Sequence, residues 1–474
     1  MKVLFMTSEA APFSASGGLG DVMGALPKAM LDLAEIEEVS CILPLYQSLK
    51  EEHRAKLTKV IDISFYLGWR STGASIYSIA LNGVTYYFVE NHYYFSRTAF
   101  YGEHDDGERF AFFSRAVIEF IKQSGLIPDV LHANDWQSAL GVVYLKTIFQ
   151  KDSELSKIRT VYTIHNIEYQ GKFPLHIIDD VFGISSEFAN ILTYDGCANL
   201  MKAAIVCSDY VTTVSPNYAK ELKYDFFSFG LSPIVRDYEN KIDGIINGID
   251  YSVFSPEGGV EISYPFGIEN LKEGKNKNKL AFQKELGICE DVSIPLLVVI
   301  TRLASQKGID LLLHIADELL QEKMQLVVLG TGEKDYEEAL VAIQDRYPDK
   351  MRALIKFDRA LSKRMYASAD IFLMPSKSEP CGLAQMISCS YGTIPIVRAV
   401  GGLYDTITPY GEANSIGFTF DNYNAHEFLF KIKEALGVYQ NADEWDSLVL
   451  RAKAKRFTWD DSAQCYLDIY KKLF

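Results

Sequence analysis

Apolar and polar positions along the chain fall into two successive runs, in which short apolar stretches alternate with segments of helical spacing. In the first run Val3–Met6 predicts a short buried strand, Pro12–Asp21 is rich in turn formers, and Val22–Leu33 carries apolar residues at helical intervals. Further strands are predicted at Val39–Leu43, Ser75–Leu81, Tyr86–Val89, Val130–His132, Thr160–Ile164 and Val211–Val214. Phe110–Ser124 reads as a helix and Ser215-Pro216 opens another. Ile245–Asp250 closes this run, and residues 255–279, with Gly, Pro, Lys and Asn at weak periodicity, read as a domain junction and surface loop. The pattern restarts at Pro295–Thr301, a buried strand. Ile309–Gln321 and Lys334–Gln344 read as helices, and Gln325–Leu329, Leu354–Phe357, Ile371–Met374 and Ile394–Val397 as strands. Residues 424–474 read as helical, with the last helix opening at Phe457-Thr458-Trp459-Asp460.

Strand and helix in alternation imply an α/β fold, with mostly parallel, doubly wound sheets covered on both faces. Two such runs in 474 residues imply two domains facing a cleft. Ligands in open sheets of this kind bind at the carboxyl ends of the strands, so the residues that follow each apolar stretch are the ones to examine.

Composition narrows the partners. A formal net charge of −15 argues against a nucleic-acid or anionic-membrane partner. The seven cysteines form no CxxC pair, which points to reduced thiols in a cytoplasmic protein. The opening Met1–Glu9 turns polar too soon for a signal peptide, and no apolar stretch reaches the ~20 residues of a membrane span. No His, Cys and Asp grouping has metal-ligand spacing, so no metal is expected.

Several stretches at predicted strand ends carry chemistry. Glu379-Pro380-Cys381-Gly382-Leu383 lies between the strand Ile371–Met374 and a helix start at Ala384; a carboxylate there can grip hydroxyls while the helix N-terminus offers N–H groups to an anion. Arg302 follows the strand Pro295–Thr301, and Lys307 precedes Gly308 at the entry of the next helix. Two cations at that edge suit a diphosphate. His132–Trp136 and Thr163–Asn166 bring polar side chains to strand ends in the first run. Gly17-Gly18-Leu19-Gly20 and Gly330-Thr331-Gly332 are glycine-rich turns at the same kind of position, but neither satisfies GxGxxG or the P-loop spacing, so a dinucleotide or Walker-type site is disfavoured.

Taken together, Ser16–Val22, Asp106–Phe110, His132–Trp136, Thr163–Asn166, Thr213–Pro216, Asn247–Asp250, Arg302–Gly308, Glu379–Leu383 and Gly401–Leu403 resemble, in order and spacing over essentially the whole chain, the bacterial glycogen synthases and plant starch synthases. The resemblance implies a GT-B fold, two Rossmann-like domains with the active site in the cleft. It implies residues 1–250 on the glucan-acceptor side, 251–456 on the nucleotide-sugar side, and 457–474 as a helix crossing back to the first domain. It implies transfer of glucose from ADP-glucose (or UDP-glucose) to an α-1,4-glucan, glycogen or malto-oligosaccharide, with retention and without a metal or cofactor. Carried over by position, Arg302 and Lys307 neutralise the leaving diphosphate, Glu379 holds glucose hydroxyls and His165 sits beside the reacting carbon. Asp135, Asn166 and Asn247 line the sugar side, and Phe357 stacks on the base. Gly17, Gly18 and Asp21, Gly330 and Thr331, and Cys381, Gly382 and Leu383 complete the donor and substrate contacts.

Three positions depart from the pattern. Ala15 stands where the family has a donor-contacting lysine, Gln137 where it commonly has His, and Ala384 where it commonly has Thr. Lys28, at the far end of the first helix, does not replace the missing lysine. Ala15 leaves open a low-activity or non-catalytic glucan-binding or priming paralogue, or an altered donor preference.

Overall fold

Lys2-Val3-Leu4-Phe5-Met6 is apolar at every position after the first, so neither face suits water, and it runs through the interior of a sheet as β1 (Lys2–Met6). The computed structural model describes residues 1–258 and 261–474. They form two compact units, Met1–Gly248 with Trp459–Phe474, and Ile249–Thr458.

In the first unit β1 is followed by β2 (Glu38–Pro44), β3 (Thr58–Leu67), β4 (Arg70–Leu81), β5 (Val84–Glu90), β6 (Val130–Asn134) and β7 (Arg159–Ile164). A small antiparallel sheet holds β8 (Lys172–Phe173), β9 (Thr193–Tyr194) and β10 (Cys197–Asn199), and β11 (Tyr210–Thr213) and β12 (Ile242–Gly244) return to the main sheet. The main sheet has the order β12-β11-β7-β6-β1-β2-β5-β4-β3. It is parallel from β12 to β5, while β4 runs against β5 and β3 against β4. The second unit holds one all-parallel sheet. Its strands are β13 (Leu296–Ile300), β14 (Gln325–Gly330), β15 (Met351–Ile355), β16 (Ile371–Met374), β17 (Ile394–Arg398) and β18 (Phe418–Phe420), in the order β15-β14-β13-β16-β17-β18.

The last helix, Trp459–Lys471, belongs to the first unit. Trp459, Ala463, Tyr466, Leu467 and Tyr470 share a core with Val3, Phe5, Met23 and Leu26. Burial of each large apolar side chain there contributes roughly 1.5–3 kcal/mol. Tyr470 also hydrogen-bonds His132 Nδ1 at 2.6 Å, and His132 Nε2 meets Thr163 Oγ1 at 2.6 Å.

Four expectations are corrected. The first helix begins at Gly18 rather than Val22, because Gly17 in extended conformation serves as its N-cap. Strand β3 is unanticipated; only Ile63, Phe65 and Leu67 face inward, so its first half carries no alternation. Strand β15 ends at Ile355, so Phe357 lies beyond it. Residues 255–279 are not all junction and loop, since Leu271–Leu286 is a helix. Its buried face carries Lys275, Asn278, Lys279 and Gln283, and polar residues on the inner face erase the apolar period that marks a helix. Lys279 donates to Asp370 Oδ2 at 2.6 Å, to the Val292 carbonyl and to Tyr439 Oη. Lys275 donates to Thr393 Oγ1 at 2.9 Å and to the Tyr391 carbonyl at 3.1 Å.

Burial lowers the Lys275 amine to about 7. In the unfolded chain it titrates near its ordinary ~10.4. Between those values the unfolded state holds a proton that the folded state has lost, so stability rises with pH by up to about 1.4 kcal/mol per pH unit. Urea melts are therefore expected to show wild type gaining stability over Lys275→Met from pH 7 to 10. A difference that stays constant with pH overturns this account.

Candidate active site

Because every strand of the second sheet is parallel, the loops after β13, β14, β15, β16 and β17 emerge at one edge. Two glycines let them close on one another. Gly308 has φ +72°, and a Cβ there would clash with the Pro375 carbonyl; the loop is then tied by Lys377 N–H to the Gln306 carbonyl at 2.8 Å. Gly401 has φ +46° and packs under the Glu379 carbonyl, while Gly402 N–H donates to that carbonyl at 3.1 Å. Leu303 N–H meets the Thr331 carbonyl at 2.9 Å, drawing the β13 and β14 loops together.

At their meeting point Lys307 Nζ lies 2.7 Å from Glu379 Oε2, and Ser376 Oγ donates to the same oxygen at 3.1 Å. The Glu379 side chain is 9% exposed, and its Oε1 accepts no hydrogen bond from a described residue. The two residues that the sequence offers as separate donor contacts are thus one ion pair. Arg302 differs: it is exposed, with no side-chain partner among the described residues. Phe357 is 79% exposed, an uncovered ring past β15. Thr331 is exposed, whereas Gly330 is buried and has no room for a Cβ beneath the Thr301 carbonyl. Cys381 is buried, Gly382 takes φ +74°, and Leu383 caps the helix Ala384–Ser390. Gln385, which the sequence does not single out, holds this turn. Its Nε2 donates to the Cys381 and Gly382 carbonyls at 3.0 Å and to Thr406 Oγ1 at 3.1 Å.

In the first unit the loops after β1, β6, β7 and β12 likewise share one edge. Asp135 follows β6 at φ +56° and ψ 177°, a strained backbone conformation that residues other than glycine rarely adopt. Its Oδ1 accepts from His165 N–H at 2.8 Å and Asn166 N–H at 3.5 Å. Burial pushes this carboxyl up to about 7, the two N–H groups pull it down, and the Glu9 charge adds to the rise. His165 Nε2 lies 2.9 Å from Asn134 Oδ1. The Asn134 amide is oriented by Nδ2 donating to the His132 and Met6 carbonyls, so its oxygen faces the ring and His165 must carry its proton on Nε2. Burial lowers the imidazole to about 3, leaving a neutral ring with a lone pair on Nδ1. Asn166 Oδ1 closes an Asx turn on Glu168 N–H at 3.0 Å. Asn247, beyond β12, is buried with Oδ1 unpaired.

Gly17 and Gly18 open the first helix with nothing within 4 Å of where a Cβ would stand, so a ligand can approach their backbone closely. Asp21 is half-buried in its first turn. Glu9, which the sequence does not single out, is tied to the loop before this helix. It is 2% exposed, its Oε1 accepts from Ser16 Oγ at 2.7 Å and Tyr101 Oη at 2.6 Å, and its Oε2 accepts from Ser16 N–H. Ala15 and Glu9 both border Gly20. The available signal was an acid three residues past a buried strand. Among the described residues no three His, Cys, Asp or Glu side chains are placed to hold a metal, and no helix is long and apolar enough to cross a membrane.

Two Rossmann-like units with polar loops at the carboxyl edges of their parallel strands are the architecture of the GT-B glycosyltransferases. Residues 2–237 match the starch synthase catalytic domain and residues 290–446 match glycosyl transferases group 1. The chain is 42% identical to a glycogen synthase of Alkaliphilus metalliredigens, across 100% of both chains. It is 44% identical to one of Clostridium beijerinckii, across 100% of this chain and 99% of that one. The catalytic domain of starch synthase IV from Arabidopsis thaliana, solved bound to ADP and acarbose, is similar with a TM-score of 0.91 and 32% identity over 99% of each chain. The chain belongs to the glycogen synthase and starch synthase family and is a glycosyltransferase of that kind.

Two measurements test this geometry. Removing Lys307 strands the nearly buried Glu379 carboxylate, at a cost of up to about 3–5 kcal/mol, the figure for a fully buried pair. Lys307→Met should therefore destabilise far more alone than in combination with Glu379→Gln. Additive losses in urea melts would mean that the pair does not form. Secondly, the ring-nitrogen spectrum of His165 should show Nε2–H and no titration between pH 5 and 8, whereas Asn134→Asp, setting a carboxylate against Nε2, should raise the pKa into or towards that range. A wild-type ring that titrates there contradicts the assignment.

Proposed function

We propose that the enzyme transfers glucose from ADP-glucose to the non-reducing end of an α-1,4-glucan, with retention at the anomeric carbon and without a metal. The observation that carries this reading is the Lys307–Glu379 pair beside the uncommitted Arg302 at one sheet edge. A nucleotide diphosphate needs cations as its bond to glucose breaks, and Arg302 and Lys307 supply them. Glu379 Oε1 is left to accept glucose hydroxyls. Gly382 and Leu383 offer N–H groups at a helix start, and Phe357 offers a face for the adenine. The ADP held by the Arabidopsis enzyme supports the choice of base.

On the first unit, Asp135, Asn166 and Asn247 serve the sugar. A neutral His165 with a free Nδ1 lone pair accepts a hydroxyl proton there rather than neutralising phosphate. Retention is assigned to attack on one face, with the donor phosphate taking the acceptor's proton.

Ala15 favours a second reading, in which turnover is slow or the donor preference altered. A methyl group supplies neither charge nor reach to a phosphate. One charge-assisted contact is worth about 1.5–3 kcal/mol, roughly ten- to a hundredfold in rate.

Radiolabel transfer to glycogen from ADP-glucose and from UDP-glucose, with and without EDTA, tests the proposal. The expected results are preference for ADP-glucose, indifference to EDTA, near-complete loss in folded Glu379→Ala, and a gain of about tenfold in Ala15→Lys. Glycogen binding without transfer from either donor would instead establish a non-catalytic glucan-binding protein. An unchanged or lower rate in Ala15→Lys removes the missing lysine as the limit on activity.

A further inference from the structure

Trp69 is 71% exposed, and Tyr66, three residues earlier, is 64% exposed. An exposed tryptophan is ordinarily a mobile side chain, but this one is held. Its Nε1–H donates to Asp180 Oδ1 at 2.9 Å, and the Arg70 guanidinium lies 4.8 Å from the ring centroid. Arg70 is in turn held by the Asp180 carbonyl at 3.2 Å and by the Asp180 carboxylate at 3.7 Å. The turn itself is clamped from below: Gly68, at φ +58°, leaves no room for a Cβ against the Asp180 carbonyl, and Gly183 packs on Gly68. The indole edge and one face are thus engaged, and the ring is oriented before any ligand arrives.

Its position is informative. Strand β3 runs against β4, and β4 against β5, so β3 points the same way as β6 and β1. The turn carrying Trp69 therefore lies at the same carboxyl edge as Asp135 and His165. Between β6 and β3 are five strand spacings, roughly 24 Å along the sheet at ~4.8 Å each.

We propose that Trp69, flanked by Arg70 and Asp180, is a distal glucan-binding platform that holds the acceptor polymer away from the reacting end. The proposal rests on the reading that the enzyme elongates a glucan. An oriented aromatic face takes the apolar face of a glucose ring, and the adjacent charged groups take its hydroxyls. Charges at the centre of the patch disfavour a protein partner, whose interface cores are depleted of them. A chain held here has its free end confined near the reacting edge, so the gain is one of effective concentration. It is available to glycogen and not to an acceptor too short to reach.

The test compares wild type with Trp69→Ala and Trp69→Phe. Affinity electrophoresis in glycogen reads binding without catalysis. Kinetics with ADP-glucose then read KM and kcat for glycogen and for maltotriose. Trp69→Ala is expected to weaken glycogen retention and raise the glycogen KM about three- to tenfold, the size of one lost aromatic contact, with kcat and the maltotriose KM unchanged; Trp69→Phe should keep most of the binding. Unaltered glycogen retention in Trp69→Ala overturns the proposal, as does an equal rise in both KM values. Loss of self-association in sedimentation with glycogen binding intact overturns it in favour of a subunit contact. Should no transfer occur from any donor, it is the elongation reading that fails, and the electrophoresis still decides the platform.

Discussion

Glu379 is 7% exposed, and the loops of the second unit converge so that its carboxylate is met by a cation. The cation comes from Lys307, 72 residues earlier in the chain, on the loop after a neighbouring strand. For the two side chains to stand 2.7 Å apart, both loops must leave the sheet at the same edge and approach closely. Parallel strands meet the first condition. Gly308 and Gly401 meet the second, since any side chain at either would strike a backbone carbonyl. The pair leaves one carboxylate oxygen unengaged and Arg302 outside it.

The first unit handles its polar groups differently. Asp135 is compensated by backbone N–H groups rather than by a cation, which is why burial dominates and its carboxyl sits near 7. His165 is made neutral by burial and aligned by Asn134. Glu9 relies on Ser16 and Tyr101. Hydroxyl and amide partners direct these groups without adding a cation, whereas the second unit places Lys307 and Arg302 at its strand ends.

Much of the architecture was legible along the chain because strands buried on both faces are unbroken apolar runs. β1, β13, β16 and β17 are of this kind, and the residues that follow them include most of the candidate site. Elements whose burial is partial or polar were not legible. β3 faces inward only over its second half. The helix Leu271–Leu286 buries lysines whose partners, Asp370 and Thr393, are about a hundred residues away. The first helix starts earlier than its periodicity because Gly18 has no side chain to report a face. Glu9 and Gln385 escaped notice because an acid and an amide gain meaning only from what surrounds them.

Sequence alone determined the two alternating α/β units, the residue types at the strand ends and, through the spacing of several short motifs, the family. These are properties of local pattern and composition, and they survive without coordinates. Only the tertiary structure decided that Lys307 and Glu379 are one pair, that His165 is a neutral Nε2–H ring, that Gly330 is excluded from carrying a side chain, and that Trp69 is held rather than loose. Each of these depends on groups far apart in sequence and within hydrogen-bond or van der Waals distance in space, and such distances are set by packing, not by order along the chain.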